Sequence, residues 1–248
     1  SAASLFHMGW AQVLGVLAGK RQVVFGTVML GRLQGGEGAE RAMGVFINTL
    51  PLRVDLGEHA VRDALRATHA RLSQLLSHAH APLAVAQRCS GVPVGTPLFN
   101  VLFNYRHSAP HATGVAEAWK GIQLLKAQEH TNYALSLSVD DLGDGFSLKA
   151  MGPGARRLCA YLNVALEHIV QALEQGSAIA IGCLPILPDV EQQQLLGFNA
   201  TTRAYPREHT VQRLFEAQAQ ARPDAVAARH GEHGLSYADL NTRANRLA

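Results

Sequence analysis

The sequence predicts an α/β unit followed by a smaller appended piece, and three observations carry that reading. Short apolar runs rich in β-branched residues alternate with segments whose apolar positions recur at helical spacing. The run Val23–Leu30 is the clearest strand, and Leu158–Leu173 is the clearest helix. From Ser177 to Arg207 the periodic pattern gives way to a proline-punctuated stretch. The chain therefore divides into a first unit at 1–176, a linker at 177–207, tied down in places by its apolar residues, and a terminal piece at 208–248.

Taken in order, Phe6, Trp10, Val13, Leu14 and Leu17 mark an amphipathic or buried helix that Gly19 can cap. His7 sits within it and reads as a core or surface histidine rather than a catalytic one. After the first strand, Gly31, Gly35, Gly36 and Gly38 suggest a mobile loop. Leu50–Val54 forms a second strand, and Pro51 places it at a sheet edge or makes it irregular. Val61, Ala64, Leu65, Thr68, Leu72, Leu75, Leu76 and Ala79 form one face of a helix that ends by Pro82. Phe99, Val101, Phe103 and Tyr105 alternate and are predicted to share a strand face. Strands are expected at 121–130 and 132–140, with Asp141–Gly145 as a hairpin turn into Phe146–Ala150. Asp189 can cap a short helix, and Thr210 another from Val211 to Ala221. A strand pair around Gly231–Gly234 and a last helix from about Ala238 finish the chain.

Composition excludes several classes. Hydrophobic residues are 48% and charged residues 17% of the 248, an ordinary folded balance. The net charge of +3, from 22 basic and 19 acidic side chains, gives no nucleic-acid footprint. Cys89, Cys159 and Cys183 are three and widely spaced, so neither a zinc ribbon nor a disulfide framework is indicated. No apolar run is long enough to span a membrane, and no signal peptide is visible. A cytoplasmic location with reduced thiols is the expectation. Metal ligands are expected nowhere: His78 and His80 lack further ligands at a useful spacing, and the Asp140–Met151 stretch lacks the oxygens of a calcium loop. Gly36 is followed by Glu37, so no phosphate-binding P-loop exists.

Met43–Arg53, MGVFINTLPLR, resembles the G-x-F-V-N-T-x-x-x-R motif of condensation domains in nonribosomal peptide synthetases, and the preceding VVFGTVMLGR resembles the strand before it. His78–Leu83 loosely resembles a further motif of that family, with Leu83 where an aromatic is usual. Thr96-Pro97-Leu98 resembles the end of another, R-D-x-S-R-N-P-L. Leu235, Ser236, Tyr237, Asp239 and Leu240 resemble the first motif of adenylation domains, L-[TS]-Y-x-E-L, with Asp239 for Glu. The resemblance implies a chloramphenicol-acetyltransferase-like fold in which 1–176 is the later, incomplete part of a condensation domain. Residues 177–207 would be the interdomain linker, and 208–248 the start of an adenylation domain.

It also implies acyl transfer, in which an amine attacks a thioester carbonyl while both substrates hang on phosphopantetheine arms of carrier domains. The family's H-H-x-x-x-D-G motif is absent, so no catalytic residue is assigned within the chain, which reads as a piece of something longer and is expected to be inactive alone. By resemblance, Gly44, Phe46, Asn48, Thr49 and Arg53 approach the substrate tunnel; Arg32 and Arg53 could instead face phosphopantetheine or an acidic partner. Asn48 has a second reading, a turn or bulge residue bonding its own backbone. No cofactor is expected within the chain itself, ATP and magnesium belonging to the rest of the adenylation domain. The expected partners are upstream and downstream peptidyl carrier domains and the remainder of both catalytic domains. Asn104–His107, with Thr131–Tyr133 and the LSLSVDDLGDGF that follows, resembles the dual condensation/epimerisation subtype. The alternatives are a non-catalytic carrier-docking module and a free-standing coenzyme-A-dependent acyltransferase of the same fold.

Overall fold

The computed structural model describes residues 1–30, 43–44, 46–93, 95–107, 131–205 and 207–247. The expected glycine loop, Arg32 and the expected strand at 121–130 lie outside them. The chain forms two compact units, Ser1–Gln193 and Gln194–Ala248. The first thus runs beyond the Gly176 boundary drawn from sequence. The reason is packing: Ile181, Leu184 and Ile186 are buried in the first unit's core.

In the first unit, α1 (Ala2–Ala18) begins at a Ser1 cap and ends on Gly19 in the left-handed conformation, φ 60°. It is followed by β1 (Gln22–Leu30), β2 (Ile47–Asp55), α2 (Val61–Ser77) and a short α3 (Leu83–Cys89). Next come β3 (Val101–His107), β4 (Leu135–Asp141), β5 (Phe146–Met151), α4 (Ala155–Glu174) and a 3-10 turn at Ile181–Cys183, and then α5 (Asp189–Asn199), within which the division between the units falls. The strands make one mixed sheet in the order β2-β1-β3-β4-β5. β1, β3 and β4 run parallel to one another, while β2 and β5 are antiparallel outer strands. Pro51 therefore sits on an edge strand, where its missing donor costs no ladder bond.

One face of the sheet carries Phe25, Leu52, Phe103, Leu137 and Val139, all nearly fully buried, in one core with α1, α2 and α4. The middle of α1 is enclosed around its whole circumference, with Met8, Trp10, Ala11 and Val13 all at 0% exposure, while Val16 and Leu17 of its last turn are exposed. Complete burial of such side chains is worth roughly 1.5–3 kcal/mol each before ordering entropy is subtracted. His7 is buried with them. A carbonyl can only accept, so its Nδ1–H donates to Ala3 O at 2.6 Å, and Nε2 accepts from the Thr27 hydroxyl at 2.7 Å. Its ring stands edge-on to Phe103 at 4.4 Å.

Phe99 departs from the alternation expected of it. β3 begins only at Val101, and the Phe99 ring lies over Gly26. Gly26 lies between Phe25 and Thr27, which point toward α1, so its own side-chain direction is the opposite one. Phe99 consequently packs on the far face from Phe103, stacked on Tyr133 at 5.7 Å. Ser136 is also buried, so β4 is covered on both faces at that point.

The second unit contains α6 (Val211–Ala221), the hairpin β6 (Val226–His230) and β7 (His233–Ser236), and α7 (Tyr237–Leu247). Tyr237 opens the last helix rather than ending the strand, because the Ser236 hydroxyl accepts from Asp239 N at 3.1 Å and caps it.

This packing can be tested at Gly26 and at His7. Gly26→Ala drives a methyl group into the Phe99 ring, and the expected cost is about 1–3 kcal/mol in urea unfolding; an unchanged midpoint would mean that the ring does not rest there. Burial lowers the His7 pKa from 6.5 to about 4. The unfolded chain then takes up this proton first, so stability falls as pH drops through that window, by about 2 kcal/mol at pH 5. Urea titrations of the parent chain and of His7→Gln at pH 7 and pH 5 should show this slope only in the parent.

Candidate functional site at the carboxyl edge of the sheet

β1 and β3 are parallel neighbours, so both end at the same edge of the sheet, the side on which open α/β sheets present their sites. A cleft of about 530 Å³ opens there. Its walls are the first turns of α1, the end of β1 from Thr27 to Leu30, the start of β2 at Ile47, one side of α2, and Asn104–His107 of β3. Met29, Leu30, Ile47 and Leu72 make much of the surface apolar, while hydroxyl, imidazole, amide and guanidinium groups are spaced around it.

The polar groups fall into three sets. Ser4 Oγ lies 3.0 Å from both Ser1 Oγ and His69 Nδ1, linking the start of α1 to α2. His7, with both nitrogens engaged and its proton affinity depressed by burial, is held neutral at physiological pH. At the end of β3, Arg106 binds Asp140 through Nε–H to Oδ1 at 2.6 Å and Nη2–H to Oδ2 at 3.1 Å. Lys149 approaches the same carboxylate at 3.3 Å. The Arg106 hydrogen bond, first among the causes, holds the Asp140 carboxyl below its ordinary pKa. Tyr105 donates to Asp141 at 2.6 Å, which lowers the Asp141 pKa, while burial foremost raises that of the phenol.

The residues singled out by sequence divide between this edge and elsewhere. Gly44 and Phe46 lead into Ile47 and the cleft. Gly44 has φ 152°, and a β-carbon there would stand 3.0 Å from the Phe46 ring, so glycine suits that position. Asn48 donates through Nδ2 to both Ala79 O and Ala81 O at 2.8 Å, and its Oδ1 accepts from Thr49 N at 2.9 Å. It thus clips the start of β2 to the turn between α2 and α3 while also bonding adjacent backbone. Thr49 pairs with Val28 in the β1–β2 ladder. Arg53 is exposed and pairs with Val24 toward the other end of β2, about 20 Å along the strand from Ile47. Its carbonyl accepts from Arg71 Nη1 at 3.1 Å.

His78 Nδ1 bonds Gln74 O at 2.9 Å within its own helix end. Among the described residues no group of His, Cys, Asp or Glu could hold a metal ion. No described helix is long and apolar enough to cross a membrane.

In the second unit, Leu235, Ser236, Tyr237, Asp239 and Leu240 build a helix start. Ser236 Oγ–H donates to Asp239 Oδ2 at 2.8 Å, and Tyr237 packs on Phe215 at 5.9 Å. Leu235 and Leu240 are half-buried. Sequence reasoning missed Ser4 and His69. They carry no local signature, since their pairing spans 65 positions.

Residues 1–196 match the condensation domain family. The chain is 44% identical over 252 residues to malpibaldin synthetase of Mortierella alpina, covering 100% of the chain and 4% of that synthetase. It is 36% identical over 248 residues to a linear gramicidin synthase of Brevibacillus parabrevis, covering 96% of the chain and 5% of that synthase. The chain therefore spans only a small part of these relatives. Among solved structures, the nonribosomal peptide synthetase FmoA3 superposes with a TM-score of 0.71 at 18% identity, over 98% of this chain and 27% of that one. The condensation domain of the monacolin K polyketide synthase MokA superposes with a TM-score of 0.53 at 20% identity, over 72% of this chain and 42% of that one. At such identities the superpositions speak for the fold alone; the family match, over well more than half of the chain, shows that the chain belongs to the condensation domains of the nonribosomal peptide synthetase type.

Proposed function

We propose that the first unit is the later part of a peptide-bond-forming condensation domain, and that the cleft at the carboxyl edge is a wall of its substrate tunnel. The observation that carries this reading is the meeting at one edge of the family-like start of β2 with an apolar cleft bearing sparse polar groups. In the proposed reaction, the amine of one carrier-bound residue attacks the thioester carbonyl of another. A C–N bond forms, the C–S bond breaks, and the proton lost by the amine is taken up by the departing thiolate, which leaves as the free thiol of its phosphopantetheine arm. Near-attack placement and exclusion of water are what an apolar wall supplies. The 248 residues contain no adjacent histidine pair. The reading therefore assigns the proton-handling group to a segment outside them.

Both amide hydrogens of Asn48 are committed to main-chain carbonyls. In this reading it is a positioning residue, which sets the tunnel edge by holding the turn at Ala79–Ala81. The apolar cleft suits the thioester end of a phosphopantetheine arm carried by a partner domain. The second unit is proposed to begin an adenylation domain, supported by its separate compactness and by the Ser236–Asp239 cap that the L-S-Y-x-D-L stretch forms. ATP and magnesium would act in the remainder of that domain. The Asn104–His107 segment that resembles the dual subtype folds as a strand end whose Tyr105 and Arg106 bind Asp141 and Asp140. Those contacts explain the segment structurally, and the proposal stays with condensation.

Two experiments test this. In the complete parent module, Ile47→Trp fills the cleft from an exposed position. Single-turnover transfer between loaded carriers should fall at least about tenfold, the scale of a misplaced reactant, with the melting temperature unchanged. Unaltered transfer would remove the cleft from the tunnel. Carrier binding without turnover in the intact parent would point to a docking module, and turnover with coenzyme A thioesters to a free-standing acyltransferase. Residues 1–248 alone should show neither peptide-bond formation nor pyrophosphate exchange above background.

Asn48→Ala should lower stability by about 1–3 kcal/mol through its unpaired carbonyl partners, and transfer in the module should fall with it. Asn48→Asp should cost more despite its similar size, because a carboxylate would face two carbonyls. An Asp variant as stable as the parent would contradict the clip.

A further inference from the structure

The end of β3 brings to the carboxyl-edge cleft an imidazole whose tautomer is fixed by its neighbour. His107 lines that cleft, and its side chain is 72% exposed, so a molecule in the cleft can reach it. Its Nδ1 lies 3.2 Å from Asp141 Oδ2. Asp141 is held as a carboxylate. The Tyr105 hydroxyl donates to Oδ2 at 2.6 Å and Gly143 N–H donates to Oδ1 at 3.0 Å, and in that order they hold its pKa below the ordinary value. A carboxylate only accepts, so Nδ1 carries the hydrogen. In the neutral ring Nε2 then keeps its lone pair and acts as an acceptor, and no described residue donates to it.

Neighbouring polar groups at this edge are already engaged. His7 uses both ring nitrogens, Tyr105 donates to Asp141, and Arg106 and Lys149 both meet Asp140. His69, a second exposed imidazole of the cleft, contacts the Ser4 hydroxyl, which can donate or accept, so that bond does not set its tautomer. His107 differs in having a carboxylate behind it, which leaves an oriented acceptor on the accessible side of the ring.

We propose that His107 Nε2 accepts an N–H of the attacking amine and so orients the amine's lone pair toward the thioester. The inference rests on the peptide-bond reading. Of the two reacting groups, the thioester carbonyl can only accept, whereas the amine donates, so an acceptor nitrogen complements the amine. His107 moves no proton in this role. The amine keeps its hydrogens until attack, and the balance of the reaction is unchanged. What the contact supplies is placement, on which the rate of such a transfer depends steeply.

The experiment measures single-turnover transfer between loaded carriers in the complete parent module. His107→Ala removes the acceptor, and transfer should fall at least about tenfold. His107→Gln offers a side-chain oxygen that can accept, and should recover much of that loss. His107→Lys keeps a cation beside Asp141 but can only donate, and should be no faster than His107→Ala. A side chain that merely pairs with Asp141 gives the reverse order, with Lys retained and Gln lost. Lys at or above Gln, Gln no faster than Ala, or Ala equal to the parent would overturn the proposal. Ile47→Trp measured alongside separates this inference from the reading beneath it. Slow transfer in Ile47→Trp with parent rates in His107→Ala removes His107 alone, and unaltered transfer in both removes the cleft and the inference with it.

Discussion

The burial of α1 is the constraint on which the rest of the first unit depends. The helix runs between the sheet, α2 and α4, with Met8, Trp10, Ala11 and Val13 wholly enclosed. A helix buried all round can neither rotate nor slide without exposing apolar surface or breaking polar pairs. The His7–Thr27 bond and the Gln12–Leu184 bond pin it at two levels, one to β1 and one to the segment following α4. Its two ends therefore lie at opposite edges of the sheet. The first turn carries Ser1 and Ser4 into the carboxyl-edge cleft, and Gln12, Gly15 and Gly19 line a second cavity at the other edge.

The site at the carboxyl edge is built the same way, by polar atoms that hold chain segments rather than by a freestanding constellation. Asn48 joins β2 to the turn after α2, and Ser4 joins α1 to His69. Asp140 gathers Arg106 and Lys149 from the strands on either side of it. Each contact sets a position on the cleft wall.

Much of this is legible in sequence because it is local. The apolar positions of α1, α2 and α4, the Gly19 stop and the Asp141–Gly145 turn are short-range patterns, and each appears where periodicity and turn chemistry place it. Phe99 escapes the pattern because alternation does not extend past the first residue of β3, across a bend that sends its ring to the other face. The short α3 carries too few turns to announce itself. The first unit's reach past Gly176 depends on three apolar residues finding a core built far upstream. The family-like motif at Met43–Arg53 points to the edge of the cleft, although Arg53 lies well away from it. Ser4, His69 and Gln12 are invisible in sequence because their meaning resides in contacts with distant residues.

Native-state hydrogen exchange tests most directly whether α1 anchors the first unit. If it does, the interior amides of α1 and β1 exchange only through global unfolding of that unit, with the same urea dependence and the same free energy as its cooperative transition. Exchange from α1 by a local opening, while β1, β3 and β4 stay protected, would show that the sheet stands without the helix and would contradict the account.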